Sequence, residues 1–205
     1  TGGTTAYSYS WNTTPVQTTA TATNLAAGTY TVNVTDAKGC TTSAQVTITQ
    51  PEAALSATIS NSTNVNCYGG ATGSATVSVT GGTTAYSYSW NTTPVQTTAT
   101  ATNLAAGTYT VNVTDAKGCT TSAQVTITQP AAALSATISN STNVNCYGGA
   151  TGSATVSVTG GTTAYSYSWN TTPVQTTATA TNLAAGTYTV NVTDAKGCTP
   201  SDQFT

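Results

Sequence analysis

The chain has no histidine, no methionine, one phenylalanine and very little charge. Only 4% of its 205 residues are Asp, Glu, Lys or Arg, against about 25% in ordinary globular proteins. Each scarcity excludes something. Without histidine, the side chain that most often serves as general base or metal ligand near neutral pH is missing. The three lysines, Lys38, Lys117 and Lys196, are far apart in sequence and the net charge is −2, so no basic patch exists for nucleic acid. No apolar run approaches the ~20 residues of a membrane-spanning helix, which argues against membrane insertion in this segment. Five cysteines are present, but no CxxC pair or histidine accompanies them, so a zinc site is not expected. Low charge does not here mean disorder, because Val, Ile, Thr, Tyr and Trp recur at strand spacing.

What is there is repetition. The fifty residues of Thr1–Gln50 stand unchanged at Thr80–Gln129, and they begin again at Thr159 and run unchanged to Thr199. The period is 79 residues. Pro51–Val79 and Pro130–Val158 differ only where Glu52 becomes Ala131. We therefore divide the chain into a partial repeat, 1–50, a complete repeat, 51–129, and a near-complete repeat, 130–205. The third departs late, with Pro200, Asp202 and Phe204. The first lacks two strands and one cysteine. A start in mid-repeat, without Met or a signal-type leader, is expected of a window cut from a longer chain. Completion of the first repeat by strands from a neighbouring chain is the rival expectation.

Within the complete repeat the apolar residues alternate. Leu55, Ala57 and Ile59 form one strand pattern, Ala75, Val77 and Val79 a second, and Tyr86, Tyr88 and Trp90 a third. Gly81-Gly82 breaks the second. A loop holding Pro94 follows the third. Thr98, Thr100 and Thr102 alternate with alanines, Asn103–Gly107 is a corner, and Tyr109, Val111 and Val113 form the clearest strand. Asp115-Ala116-Lys117-Gly118 reads as an exposed hairpin turn. Cys119, Val125 and Ile127 share a face on the last strand. Short strands with turn signals every 8–12 residues predict an all-β fold of tandem immunoglobulin-like β-sandwiches, about seven strands per repeat. A barrel is the alternative. Core anchors are Trp90 on the third strand and Tyr109 at tyrosine-corner spacing, with their counterparts Trp11, Trp169, Tyr30 and Tyr188.

The cysteines fall into two positional classes, Cys67 and Cys146, then Cys40, Cys119 and Cys198. Cys67 to Cys119 and Cys146 to Cys198 are both 52 residues. Equal spacing favours one disulfide inside each repeat, Cys67–Cys119 and Cys146–Cys198, with Cys40 left over. The rival pairing, Cys40–Cys67 and Cys119–Cys146, would staple neighbouring repeats. Either implies an oxidising, extracytoplasmic setting.

The runs VNCYGGATGSATVSVTGGTTAYSYSWN and TATATNLAAGTYTVNVTDAKGCTTSAQVTITQP closely resemble the SprB-type repeat of cell-surface adhesins from gliding Bacteroidetes. The resemblance covers essentially the whole repeat. It implies very large extracellular proteins, exported by the type IX secretion system, that form filaments carrying cells over surfaces. The family's glycine-rich turn often holds Asn-Asp before Gly-Ser-Ala; here Ala71-Thr72 stand there, which removes support for calcium at this loop.

Catalysis is not expected. There are no paired carboxylates, no base beside any Ser or Thr, and no phosphate-type glycine loop. One Asp per repeat is too few for a calcium cage of six to eight oxygens, and no cofactor is implied. Thr98, Thr100 and Thr102 form a ladder on a solvent face that could touch polysaccharide, or simply be good strand residues. Asn91-Thr-Thr and Asn112-Val-Thr match the N-glycan sequon. The expected partners are neighbouring repeats or identical chains in a filament, and surface polysaccharide in the alternative reading.

Overall fold

The structure is a computed structural model that describes residues 2–200. The described residues are strands, turns and loops. The chain divides into two compact units, Thr1–Ala54 and Leu55–Thr205. The second and third repeats thus share one unit.

After β1 (Ser8–Trp11), β2 (Gly28–Thr35) and β3 (Thr41–Ile48) of the first unit, the complete repeat has six strands, β4 (Ser56–Thr63), β5 (Gly73–Thr80), β6 (Ser87–Trp90), β7 (Thr100–Leu104), β8 (Gly107–Thr114) and β9 (Thr120–Ile127). They form two antiparallel ladders, β4-β5-β7 and β6-β8-β9, so the architecture is a sandwich and not a closed barrel. The count is six against the expected seven or so; the chain between β6 and β7, read from sequence as a loop, adds no strand. Pro94 cannot donate to a ladder. Thr92 Oγ1 instead accepts from Gln96 N–H at 3.0 Å and donates to the Pro94 carbonyl at 2.8 Å. The Gln96 side chain then brackets Thr102, donating to its carbonyl and accepting from its N–H, both at 2.9 Å.

Period-two alternation buries one face of each ladder. Ala75, Val77, Ala101 and Leu104 from one sheet meet Trp90, Val111, Val113 and Ile127 from the other. Trp90 is 1% exposed, and its Nε1–H donates to the Thr98 carbonyl at 2.9 Å, so the indole brings bulk to an Ala/Val core without leaving a buried donor unpaired. Tyr109 is half-buried, and its hydroxyl donates to the Ala105 carbonyl at 3.1 Å. Tyr30 and Tyr188 repeat that bond, to Ala26 and Ala184. One edge is drawn together where the Val65 N–H donates to the Thr128 carbonyl at 2.9 Å. Gly73 sits under that edge: a Cβ there would lie 2.6 Å from Ile127 Cγ2 and 2.8 Å from the Leu104 carbonyl, so the strand begins on glycine.

The third repeat repeats the design with β10 (Ser135–Thr142), β11 (Gly152–Thr159), β12 (Tyr165–Trp169), β13 (Thr179–Leu183) and β14 (Val190–Asp194). Its ladders are β10-β11-β13 and β12-β14. The last strand, expected from Thr199, falls largely outside the described residues, as do Asp202 and Phe204. Ile59 packs on the core of the complete repeat, whereas its counterpart Ile138 is 43% exposed. Trp169 is 1% exposed. The first unit is a single ladder of β1 (Ser8–Trp11), β2 (Gly28–Thr35) and β3 (Thr41–Ile48). Trp11 is therefore only half-buried; the partial repeat does not carry the sheet that covers Trp90.

Candidate functional site

The two ends of the sandwich carry different loops. At the exit pole, the Cys67–Gly70 loop is held by Gln129, whose side-chain oxygen accepts from the Gly69 N–H at 2.8 Å, and by Asn64, which accepts from the Thr128 N–H at 2.9 Å. At the entry pole lie Leu55, the Gly81-Gly82 turn and the Asp115 hairpin. The register of β8 on β9 runs from Thr114↔Thr120 at the entry pole to Gly107↔Ile127 at the exit pole. Cys119 immediately precedes β9 and Cys67 sits beside its far end, so about 25 Å of strand separates them at ~3.3 Å per residue.

That distance overturns the expected disulfides. A bond needs Cα atoms within about 7 Å, so neither Cys67–Cys119 nor Cys146–Cys198 forms inside a repeat. The rival staples, Cys40–Cys67 and Cys119–Cys146, do not form either. The bond present joins Cys67 of the complete repeat to Cys198 of the third, 131 residues apart, with a Cα–Cα distance of 5.7 Å. Cys40, Cys119 and Cys146 are free and exposed. Exit pole meets entry pole here: Cys67, Tyr68, Ala133, Leu134, Gly161 and Cys198 line a cavity of 120 Å³. On the third repeat's side of the junction the backbone is tied to itself, the Gly161 N–H donating to the Ala132 carbonyl at 3.0 Å. Equal spacing concealed this arrangement, since a period of 79 fits Cys67–Cys198 as well as it fits Cys67–Cys119.

Asp115 corrects a second expectation. The turn is a hairpin, but Asp115 is buried, 5% exposed, and its carboxylate ties distant chain together. Oδ2 accepts from the Thr83 N–H, and Oδ1 from the Lys117 and Cys119 N–H groups, all at 2.9 Å. Gly82, at φ +62°, lets the backbone approach, since a Cβ there would lie 2.7 Å from Oδ2. Asp36 and Asp194 do the same with Thr4 and Thr162. The donated N–H bonds hold all three carboxyls below their ordinary value of 3.8. For Asp36 the Thr4 N–H dominates, and for Asp115 the Thr83 N–H. For Asp194 burial pushes upward, and is outweighed by the N–H groups of Cys198, Thr162 and Lys196 with the Lys196 charge. A carboxyl depressed by folding stabilises fully above its unfolded pKa, and that contribution is lost as pH falls through the folded value. Thermal unfolding is thus expected to be insensitive to pH from neutrality down to about 5 and to soften below 3.8. A melting temperature unchanged well below 3.8 would remove the carboxylates from this role.

The threonine ladder is not free for ligands. Thr98 Oγ1 donates to the Thr100 carbonyl at 2.7 Å, and Thr100 Oγ1 bonds Thr76 Oγ1 at 3.0 Å. Only Thr102 of the ladder combines an exposed position with an uncommitted hydroxyl. Of the sequon asparagines, Asn112 is exposed on β8, and Asn91 spends its Oδ1 on the Thr110 N–H at 2.8 Å. A shallow cleft recurs beside the proline loop, about 500 Å³ in the complete repeat and 450 Å³ in the third, between Asn91, Pro94, Gln96, Asn103 and Tyr109 and their counterparts. A larger one of 720 Å³ in the first unit lies among Gly3, Tyr7, Tyr9, Asp36 and Cys40. In the complete repeat Leu55 packs at the equivalent place, against Gly82.

The sequence-family profile described as "SprB repeat" matches residues 59–94 and 138–173, together about a third of the chain. No curated protein matches significantly. Among solved structures, the N-terminal eight Ig domains of Down Syndrome Cell Adhesion Molecule (DSCAM) isoform 1.30.30 match at 14% identity and TM-score 0.40, over 96% of this chain and 31% of that one. A tetra-tandem repeat from the extending region of a large adhesion protein matches at 16% identity and TM-score 0.33, over 97% of this chain and 65% of that one. The chain therefore spans less than two thirds of either structure. The two segments that match the SprB-repeat profile, residues 59–94 and 138–173, occupy the same place in successive sandwiches, from the first strand through the tryptophan strand to the proline loop.

Proposed function

We propose that this chain is a length of the shaft of an extracellular, cell-surface filament or adhesin, serving surface attachment or gliding motility without catalysis. The observation that carries this reading is the junction in the Leu55–Thr205 unit. Two copies of one sandwich meet there through a disulfide, with residues of both lining one small cavity around it, which suits a load-bearing spacer. The match to the SprB-repeat profile supports the adhesin setting, and the disulfide supports an oxidising compartment outside the cytoplasm. Export by the type IX system follows from the family resemblance. The work proposed is to span distance and resist proteolysis.

A second reading, a weak carbohydrate- or surface-binding module acting through avidity, is favoured by the cleft that recurs once per repeat. Its polar lining is already engaged, since Gln96 and Tyr109 bond the backbone around them. The 205-residue chain is expected to show no retention on a glycan array or on a mineral surface. Retention that free sugar competes away, and that Asn103→Ala with Asn182→Ala weakens, would replace the spacer reading with this one.

A further inference from the structure

We infer that the Cys67–Cys198 bond is one stitch of a regular lacing. The VNC cysteine at the exit pole of each repeat bonds the KGC cysteine at the entry pole of the repeat that follows it. Cys146 is then the docking point for the entry pole of a further repeat in tandem, and Cys119 for the exit pole of a complete repeat ahead of it. The inference goes beyond the shaft reading and does not depend on what the array is used for.

Three observations carry it. First, the local geometry is duplicated. The Gly70 N–H donates to the Cys67 carbonyl at 2.9 Å, and the Gly149 N–H to the Cys146 carbonyl at 2.9 Å. Gly69 and Gly148 have φ of +75° and +74°. At the other pole, the Asp115 N–H donates to the Cys119 carbonyl at 2.9 Å and the Asp194 N–H to the Cys198 carbonyl at 3.0 Å. Cys146 is therefore presented as Cys67 is, and Cys119 as Cys198 is. Second, the surface around the free member is uncovered where its bonded counterpart is covered. Tyr68, beside the formed bond, is 51% exposed, while Tyr147, beside Cys146, is fully exposed. Cys67 is half-buried and Cys146 exposed. Tyr68 shares the lining of one small cavity with Ala133, Leu134 and Gly161 of the next repeat. Third, the two classes of cysteine lie at opposite poles of one sandwich, so neither can be satisfied within its own repeat, and end-to-end stacking brings unlike poles together.

Each stitch forms one S–S bond from two thiols. The two protons and two electrons released go to an external disulfide or other thiol oxidant of an oxidising compartment. The stitches overlap, because the Cys67–Cys198 span contains Cys146, whose own stitch reaches onward to the next repeat. Interruption of one junction is thus bridged by its neighbours.

The test counts free thiols after denaturation without reduction. The natural chain is expected to show three, since five cysteines hold one bond. The chain is then lengthened by one period, by inserting a second copy of residues 80–158 after Val158, which adds two cysteines. Lacing predicts that the count stays at three, because the added junction consumes both. A count of five would mean that Cys67–Cys198 is a solitary bond, and a count of one would mean pairing inside repeats; either overturns the inference. A variant of natural length guards against misfolding of the longer chain. In Cys198→Ser, Cys67 is left without a partner and four thiols remain. Two remaining thiols would show that a disulfide forms without Cys198, and would also overturn it.

Discussion

Reduction of the Cys67–Cys198 bond is expected to destabilise the Leu55–Thr205 unit by about 5 kcal/mol, because the bond closes a loop of 131 residues and chain-entropy cost rises with the logarithm of loop length. The same bond hides length from a pulling force. With the chain held by its ends, the loop between the two cysteines cannot extend while the bond is intact. Reduction is expected to release roughly 450 Å of contour, at ~3.5 Å per residue. Pairing inside repeats would instead release two increments of roughly 180 Å each. Equal contour lengths in oxidised and reduced traces would show that no bond bridges the repeats. The mechanical consequence is direct: an oxidised array transmits tension across the junction through a covalent bond, whether or not the sandwiches on either side stay folded.

Trp90→Ala in the full chain is expected to cost about 3–5 kcal/mol, the range for removing a large buried aromatic. The indole is the largest side chain in a core otherwise built from Ala, Val, Leu and Ile. Its loss opens a cavity that small neighbours cannot refill, and it strands the Thr98 carbonyl that Nε1–H had engaged. Trp11→Ala is expected to cost less, since Trp11 is half-buried and faces no second sheet within its unit. Denaturant unfolding monitored by circular dichroism separates the two. A Trp90 variant within 1 kcal/mol of the parent chain would place the indole outside the core.

Much of this was legible in the sequence. Alternation located all six strands of the complete repeat, because one buried face imposes a period of two and identical copies repeat it. The corner at Asn103–Gly107 and the Asp115 turn follow from glycine and asparagine where the chain turns. What escaped depended on contacts distant in sequence. Asp115 reads as an ordinary hairpin residue because its deciding partner, the Thr83 N–H, lies 32 residues away. The threonine ladder reads as a solvent face because alternation marks which residues share a side, and not that Thr76 of β5 comes up against Thr100. The disulfides were misassigned for the same reason. In a perfect repeat every cysteine spacing recurs, so spacing cannot separate pairing within a repeat from pairing to the next one. The length of β9, eight residues between Cys119 and Thr128, held the missing constraint, but it becomes decisive only when Cys67 is placed beside the far end of that strand.

The most direct measurement is a tryptic map of the oxidised chain, denatured but not reduced. Cleavage after Lys38, Lys117 and Lys196 leaves Cys40 and Cys67 in peptide 39–117, Cys119 and Cys146 in 118–196, and Cys198 alone in 197–205. The structure requires 197–205 to be recovered joined to 39–117, with 118–196 free. Recovery of 197–205 joined to 118–196 would return the disulfide to the interior of a repeat and contradict the stitched array.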